Sequence, residues 1–187
     1  MVRSRLWVVG LTALASPLIL ASLIHARQAS PPAAAPAAGQ AQAQAAPATG
    51  GTQTPVQAAD AAAKGTLKNP YQDSDAAVVE SGSKLYFKYG CNGCHGGNGG
   101  GGMCPPLSND VWVYGGDDDT LFRLVAYGTQ VLQEKGYTRK GMENVVGPMP
   151  PMGQVVQTDD ELWRILAFVR SNYHGAPECK FGCGGSQ

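Results

Sequence analysis

Cysteines at 91 and 94 followed at once by a histidine, Cys91-Asn92-Gly93-Cys94-His95, restrict this chain more than any other feature of its sequence. Two thiols separated by two residues reach the two vinyl groups of one porphyrin and form thioethers, and the adjoining imidazole then lies beneath the iron. A C-x-x-C pair alone also fits a redox dithiol or half of a zinc site. The immediate histidine favours covalent haem, as does the lack of a second C-x-x-C pair in the sequence. The surrounding chain must then fold around a flat cofactor that orders loops their own side chains would leave open.

Helical patterns flank the motif. Asp73, Ser74 and Asp75 precede Ala76–Lys88, where Val78, Val79, Leu85, Tyr86 and Tyr89 recur at helical spacing until Gly90 stops the run. Asp117, Asp118 and Asp119 precede a second pattern over residues 121–127, closed by Gly128. The three aspartates suit the positive end of a helix dipole, with a docking patch for a basic partner as the alternative. Thr158-Asp159-Asp160-Glu161 reads as a capping box ahead of Leu162, Ile165, Leu166, Phe168 and Val169. Residues 96–102 are nearly all glycine and residues 147–153 are rich in proline and methionine, so neither reads as strand. The expected fold is all-α, three main helices with long loops around one haem. Trp112 and Trp163 are expected to pack rather than to conduct electrons.

Four segments are expected along the 187 residues. Residues 1–26 carry Arg3 and Arg5 before an apolar stretch and read as an export signal, cleaved near Ala26 or Ala29 or retained as a membrane anchor. Residues 27–68 are dominated by Ala, Pro, Gln, Gly and Thr and read as a disordered linker. Residues 69–175 have ordinary globular composition and the size of one domain, about 100 residues. Residues 176–187 form a Cys- and Gly-rich tail. Export places the domain in the periplasm, free or tethered. With 14 basic and 14 acidic residues, nothing marks the chain as a nucleic-acid binder.

A low-spin haem iron that transfers electrons needs a second axial ligand, and a thioether there raises the potential. Met1 lies in the signal and Met103 is too near the attachment motif, leaving Met142, Met149 and Met152. Met149 is favoured because Pro148 and Pro150 stiffen the backbone on both sides of it, with Met152 as the alternative. His174 follows the last helix and reads as a surface residue, and His25 lies in the signal or linker.

A helix, C-x-x-C-H, a glycine-rich stretch ending in Pro105-Pro106-Leu107, a middle helix, Met-Pro and a last helix together resemble the class I c-type cytochromes, over residues 76–173. The resemblance implies that the first and last helices cross and that the Pro105 carbonyl orients His95. It implies a one-electron carrier, not an enzyme, holding one covalent haem c. Trp112-Val113-Tyr114 and the Gly147-Pro148-Met149 loop resemble cytochromes that accept electrons from PQQ-dependent alcohol and methanol dehydrogenases. A quinoprotein donor and an oxidase or cytochrome acceptor are the implied partners. A membrane-tethered subunit of a larger redox complex is the alternative, ahead of a haem enzyme or sensor with an open sixth position. The stretch 130–146, with Lys135, Arg139 and Lys140, exceeds a minimal domain of this kind and reads as a solvated or partner-docking loop.

Three cysteines remain, Cys104, Cys179 and Cys183. In an oxidising compartment one disulfide is expected, either clipping the tail to the haem loop through Cys104 or closing the ring from Cys179 to Cys183.

Overall fold

In the computed structural model the first long helix begins where a carboxylate can cap it. Asp75 takes hydrogen bonds from the backbone N–H groups of Ala77 and Val78, and the helix runs Ala76–Lys88. The structure describes residues 51–109, 112–141 and 147–182, which fall within the unit Ala41–Gln187. In chain order the helices are α1 (Pro55–Ala61), α2 (Ala76–Lys88), α3 (Cys91–His95), α4 (Asp118–Glu134) and α5 (Asp159–Ser171), with a 3-10 turn at Pro177–Cys179. No strand occurs among the described residues. The expected all-α class holds, with the three anticipated helices as α2, α4 and α5.

α2 and α5 cross closely at Gly82, where an added Cβ would stand 2.0 Å from the carbonyl oxygen of Arg164. Tyr86 and Phe168 meet beside this crossing with ring centroids 5.1 Å apart. Trp163 stacks on Phe122 of α4 at 4.3 Å, and Leu121, Ala126, Leu162, Ile165 and Leu166 complete one buried core. Trp112 is also buried, donating from Nε1 to the Leu107 carbonyl and meeting Tyr173 edge-on.

The linker expected over residues 27–68 does not extend to 68. Thr54 and Gln57 form a capping box with Pro55 at the first helical position, so α1 starts cleanly. Ala59 is fully buried. Arg123 of α4 donates to the carbonyls of Ala59, Ala62 and Ala63 and fixes the C-terminal end of α1. Small residues suffice here because α1 brings carbonyls and a close-fitting backbone rather than bulk. The first half of the linker and the signal segment lie outside the described residues.

The middle helix does not stop at Gly128. Its backbone breaks there (φ 73°, ψ 173°) and resumes helically to Glu134, so the start of the supposed loop 130–146 is helix. The aspartate run caps α4 through Asp117, which accepts from Thr120 N–H. Asp118 and Asp119 turn inward rather than toward a partner. Asp118 binds Arg170 and the Asn69 N–H, and Asp119 binds Arg123, Tyr137 and the Leu67 N–H.

At α5 only half of the expected capping box forms. Thr158 accepts from Glu161 N–H, but the Glu161 carboxylate instead takes Lys88 Nζ (3.0 Å) and Tyr89 Oη (2.6 Å). Helix-to-helix bonding has replaced the local return bond. The tail is likewise not separate from the domain: Arg170, 2 % exposed, donates to the Lys180 carbonyl, and Lys180 Nζ pairs with Asp73 at 2.5 Å.

Candidate functional site

α2 runs out at Tyr89, and after Gly90 the chain re-enters helix at once as the single turn α3. Cys91, Cys94 and His95 all lie on α3 and all are half-buried. One turn of helix puts residues three and four apart on neighbouring sides of the same face. Both thiols and the imidazole are thus carried by one short rigid element.

The glycine stretch folds back over α3 through its main chain. Gly101 N–H donates to the His95 carbonyl, Cys104 N–H to the Cys94 carbonyl and Leu107 N–H to the Gly99 carbonyl. Tyr86 Oη, from the core of α2, donates to the Gly96 carbonyl at 2.8 Å. This fold-back delivers Pro105 to His95, and Nδ1 of the ring lies 3.0 Å from the Pro105 oxygen. A carbonyl only accepts, so Nδ1 carries the proton and Nε2 keeps its lone pair. The site therefore presents one metal-ligating nitrogen, fixed in tautomer and orientation, beside two thiols. That donor set fits a thioether-bound haem.

Burial shapes the protonation of these groups. It pushes the Cys91 thiol up, and burial with the thiol-to-thiol hydrogen bond to Cys94 raises Cys104. Tyr86 is driven well above the ordinary tyrosine value, chiefly by burial. Cys104 is a free cysteine while Cys179 is disulfide-bonded, so the clip through Cys104 is not formed. Cys183 lies outside the described residues.

The candidate axial methionines sit on a separate loop. Met149 is half-buried, and its N–H donates to Thr129 Oγ1 at 2.9 Å while Thr129 N–H returns a bond of 2.9 Å to the Met149 carbonyl. Met152 packs against the hydrophobic core, its N–H bonded to the Val125 carbonyl, and Gly153 N–H follows on Ala126. Core packing gives Met152 a structural role. Met142 lies outside the described residues, Met103 is 61 % exposed and His174 is exposed.

Three site residues were not legible as such in the sequence. Tyr86 reads as one more apolar helix position, Thr129 as a polar residue in a loop, and Gly128 as a helix stop. At Gly128 an added Cβ would lie 2.7 Å from Pro151 N and 2.8 Å from the Met149 oxygen. The methionine loop crosses directly over this glycine.

Residues 77–169 match the family model described as cytochrome C oxidase, cbb3-type, subunit III. No curated protein matches the chain. Among solved structures it is similar to cytochrome CL from the marine methylotrophic bacterium Methylophaga aminisulfidivorans. That pair shares 26 % identity over 71 % of this chain and 74 % of the other, with a TM-score of 0.49.

Proposed function

We propose that this chain, whose residues 77–169 match a cytochrome family model, is a mono-haem c-type cytochrome that works as a periplasmic electron carrier, its iron held between His95 and Met149 and its haem bonded to Cys91 and Cys94. Bound haem c supplies one iron that alternates between the ferric and ferrous states. The chain's own residues do the rest. α3 presents the two thiols and the imidazole together, and the Pro105 carbonyl fixes the ring and strengthens its basicity. The fold-back of the glycine loop covers α3 with main-chain amides already bonded to each other. The proline-flanked loop offers a thioether from outside the attachment segment.

The observation that carries this reading is the 3.0 Å approach of His95 Nδ1 to the Pro105 oxygen, which leaves Nε2 as the only ring nitrogen with a lone pair. A histidine on a solvated turn would have no reason for a part-buried carbonyl partner ten residues away.

The donor is proposed to be a PQQ-dependent alcohol dehydrogenase, on the resemblance carried by Trp112-Val113-Tyr114 and Gly147-Pro148-Met149, with an oxidase or another cytochrome as acceptor. The match to an oxidase-subunit model supports a second reading, a membrane-tethered cytochrome subunit of a larger redox complex. Retention in the membrane fraction after lysis favours that reading, and recovery in the periplasmic extract favours the free carrier.

The ligand assignment is tested by near-infrared absorbance of the ferric protein and by redox titration. Met149→Ala is expected to remove the sulfur-to-iron band, lower the potential and admit carbon monoxide to the ferrous protein. Met152→Ala is expected to keep the band and lose stability instead. An intact band in Met149→Ala overturns the assignment, and carbon monoxide binding by the unsubstituted protein points to a haem enzyme or sensor.

A further inference from the structure

Pro148-Met149-Pro150-Pro151 contains a single backbone N–H, that of Met149, because proline has none. This four-residue stretch therefore has one main-chain donor with which to fasten itself, and that donor is taken by the hydroxyl of Thr129 at 2.9 Å. Thr129 N–H bonds the Met149 carbonyl in return, again at 2.9 Å. Both polar backbone groups of Met149 are thus held by one residue twenty positions earlier.

The approach is possible because Gly128 lacks a side chain and takes a left-handed φ of 73°, which breaks α4 and turns Thr129 toward the loop. The loop's far end is fixed independently, through Met152 and Gly153 on the carbonyls of Val125 and Ala126. Val56 of α1 stands behind Gly153, 2.8 Å from where its Cβ would be.

We propose that Thr129 is a positioning residue for the axial ligand, its hydroxyl setting how firmly Met149 stays on the iron. The inference rests on Met149 being that ligand. Removing the hydroxyl takes away the side-chain partner of the Met149 N–H, the one donor between Pro148 and Pro151, and weakens the arrangement that presents the thioether. The reciprocal bond from Thr129 N–H survives any side-chain change, so the loop loosens rather than detaches.

Imidazole titration of the ferric holoprotein tests this, because imidazole binds only when the methionine is off and its apparent affinity reports the on–off balance. Thr129→Val keeps the branched shape and removes the acceptor. Its apparent imidazole dissociation constant is expected to fall about three- to tenfold, the size of one lost hydrogen bond. Thr129→Ser is expected to match the unsubstituted protein. In a Met149→Ala background Thr129→Val is expected to have no effect on imidazole affinity, since nothing is left to compete.

An unchanged affinity in Thr129→Val, or a shift of equal size in the Met149→Ala background, overturns the proposal. A lowered melting temperature with unchanged affinity also overturns it, as the mark of a purely structural threonine. If Met149→Ala alone binds imidazole no more tightly than the unsubstituted protein, the axial-ligand reading itself fails. Thr129→Ala removes the same acceptor with less bulk and serves where the valine variant does not fold.

Discussion

At Gly128 the space for a side chain is occupied by the main chain of another loop. Two costs are joined there: a left-handed backbone, and atoms of Met149, Pro150 and Pro151 within 2.8 Å of any Cβ. Gly136 separates them, since its φ of 78° is similar but only the end of Lys64 lies near its Cβ position, at 3.7 Å. Gly136→Ala should therefore cost about 1–2 kcal/mol, the price of the backbone alone. Gly128→Ala should cost more, by about 1–3 kcal/mol of overpacking, and should also diminish the sulfur-to-iron band, which Gly136→Ala should leave intact. Thermal melts and ferric spectra of the two variants check both parts. The attachment motif was legible in the sequence because its chemistry is local. The Thr129–Met149 bond was not, because it joins positions twenty residues apart and nothing near Thr129 announces its partner.

Among the elements, α2 and α5 were readable from periodicity and from their Asp75 and Thr158 caps, and α3 from the motif itself. α1 was missed although its signal is present: Thr54-Pro55-Val56-Gln57 is a capping box with proline at the first helical position. The Ala, Pro and Gln around it carry too little apolar area to predict burial, and what draws α1 into the fold is Arg123 reaching one of its carbonyls and two just beyond its end. Glu161 shows the opposite case, a local pattern overridden by Lys88 of α2 and Tyr89 just after it. If the Thr54 cap holds α1, Thr54→Ala should lower stability by about 1 kcal/mol and raise amide exchange over residues 55–61 first. Equal exchange across the whole chain would mean that α1 has no separate opening.

On the scale of the whole molecule, buried ionisable groups set the range of pH over which the fold holds. Burial alone would raise the Asp119 carboxyl, but hydrogen bonds from Arg123 and Tyr137 outweigh it and hold the group below the ordinary value. Glu161 is lowered in the same way, burial being outweighed by Tyr89 and Lys88. A carboxylate lowered in the fold stabilises above its unfolded pKa, near about 4, and that contribution disappears as pH falls through the folded value. Tyr127 is pushed up to about 12 by burial and by its bond to Asp60. Its contribution is complete below about 10, the ordinary tyrosine value, and is lost as pH rises toward 12. Melting temperature should thus be level near neutrality and decline on both sides, with the alkaline decline shallower in Tyr127→Phe. An alkaline limb identical in that variant would assign the loss to other groups. The arginines give this scale a further consequence. The span matched by the family model, residues 77–169, stops one residue short of Arg170 and omits all of α1. A fragment trimmed to that span would bury the Arg123 guanidinium without its three carbonyls and leave Asp118 without Arg170. The matched span and mechanical integrity therefore draw different borders on this chain, and the second is the wider.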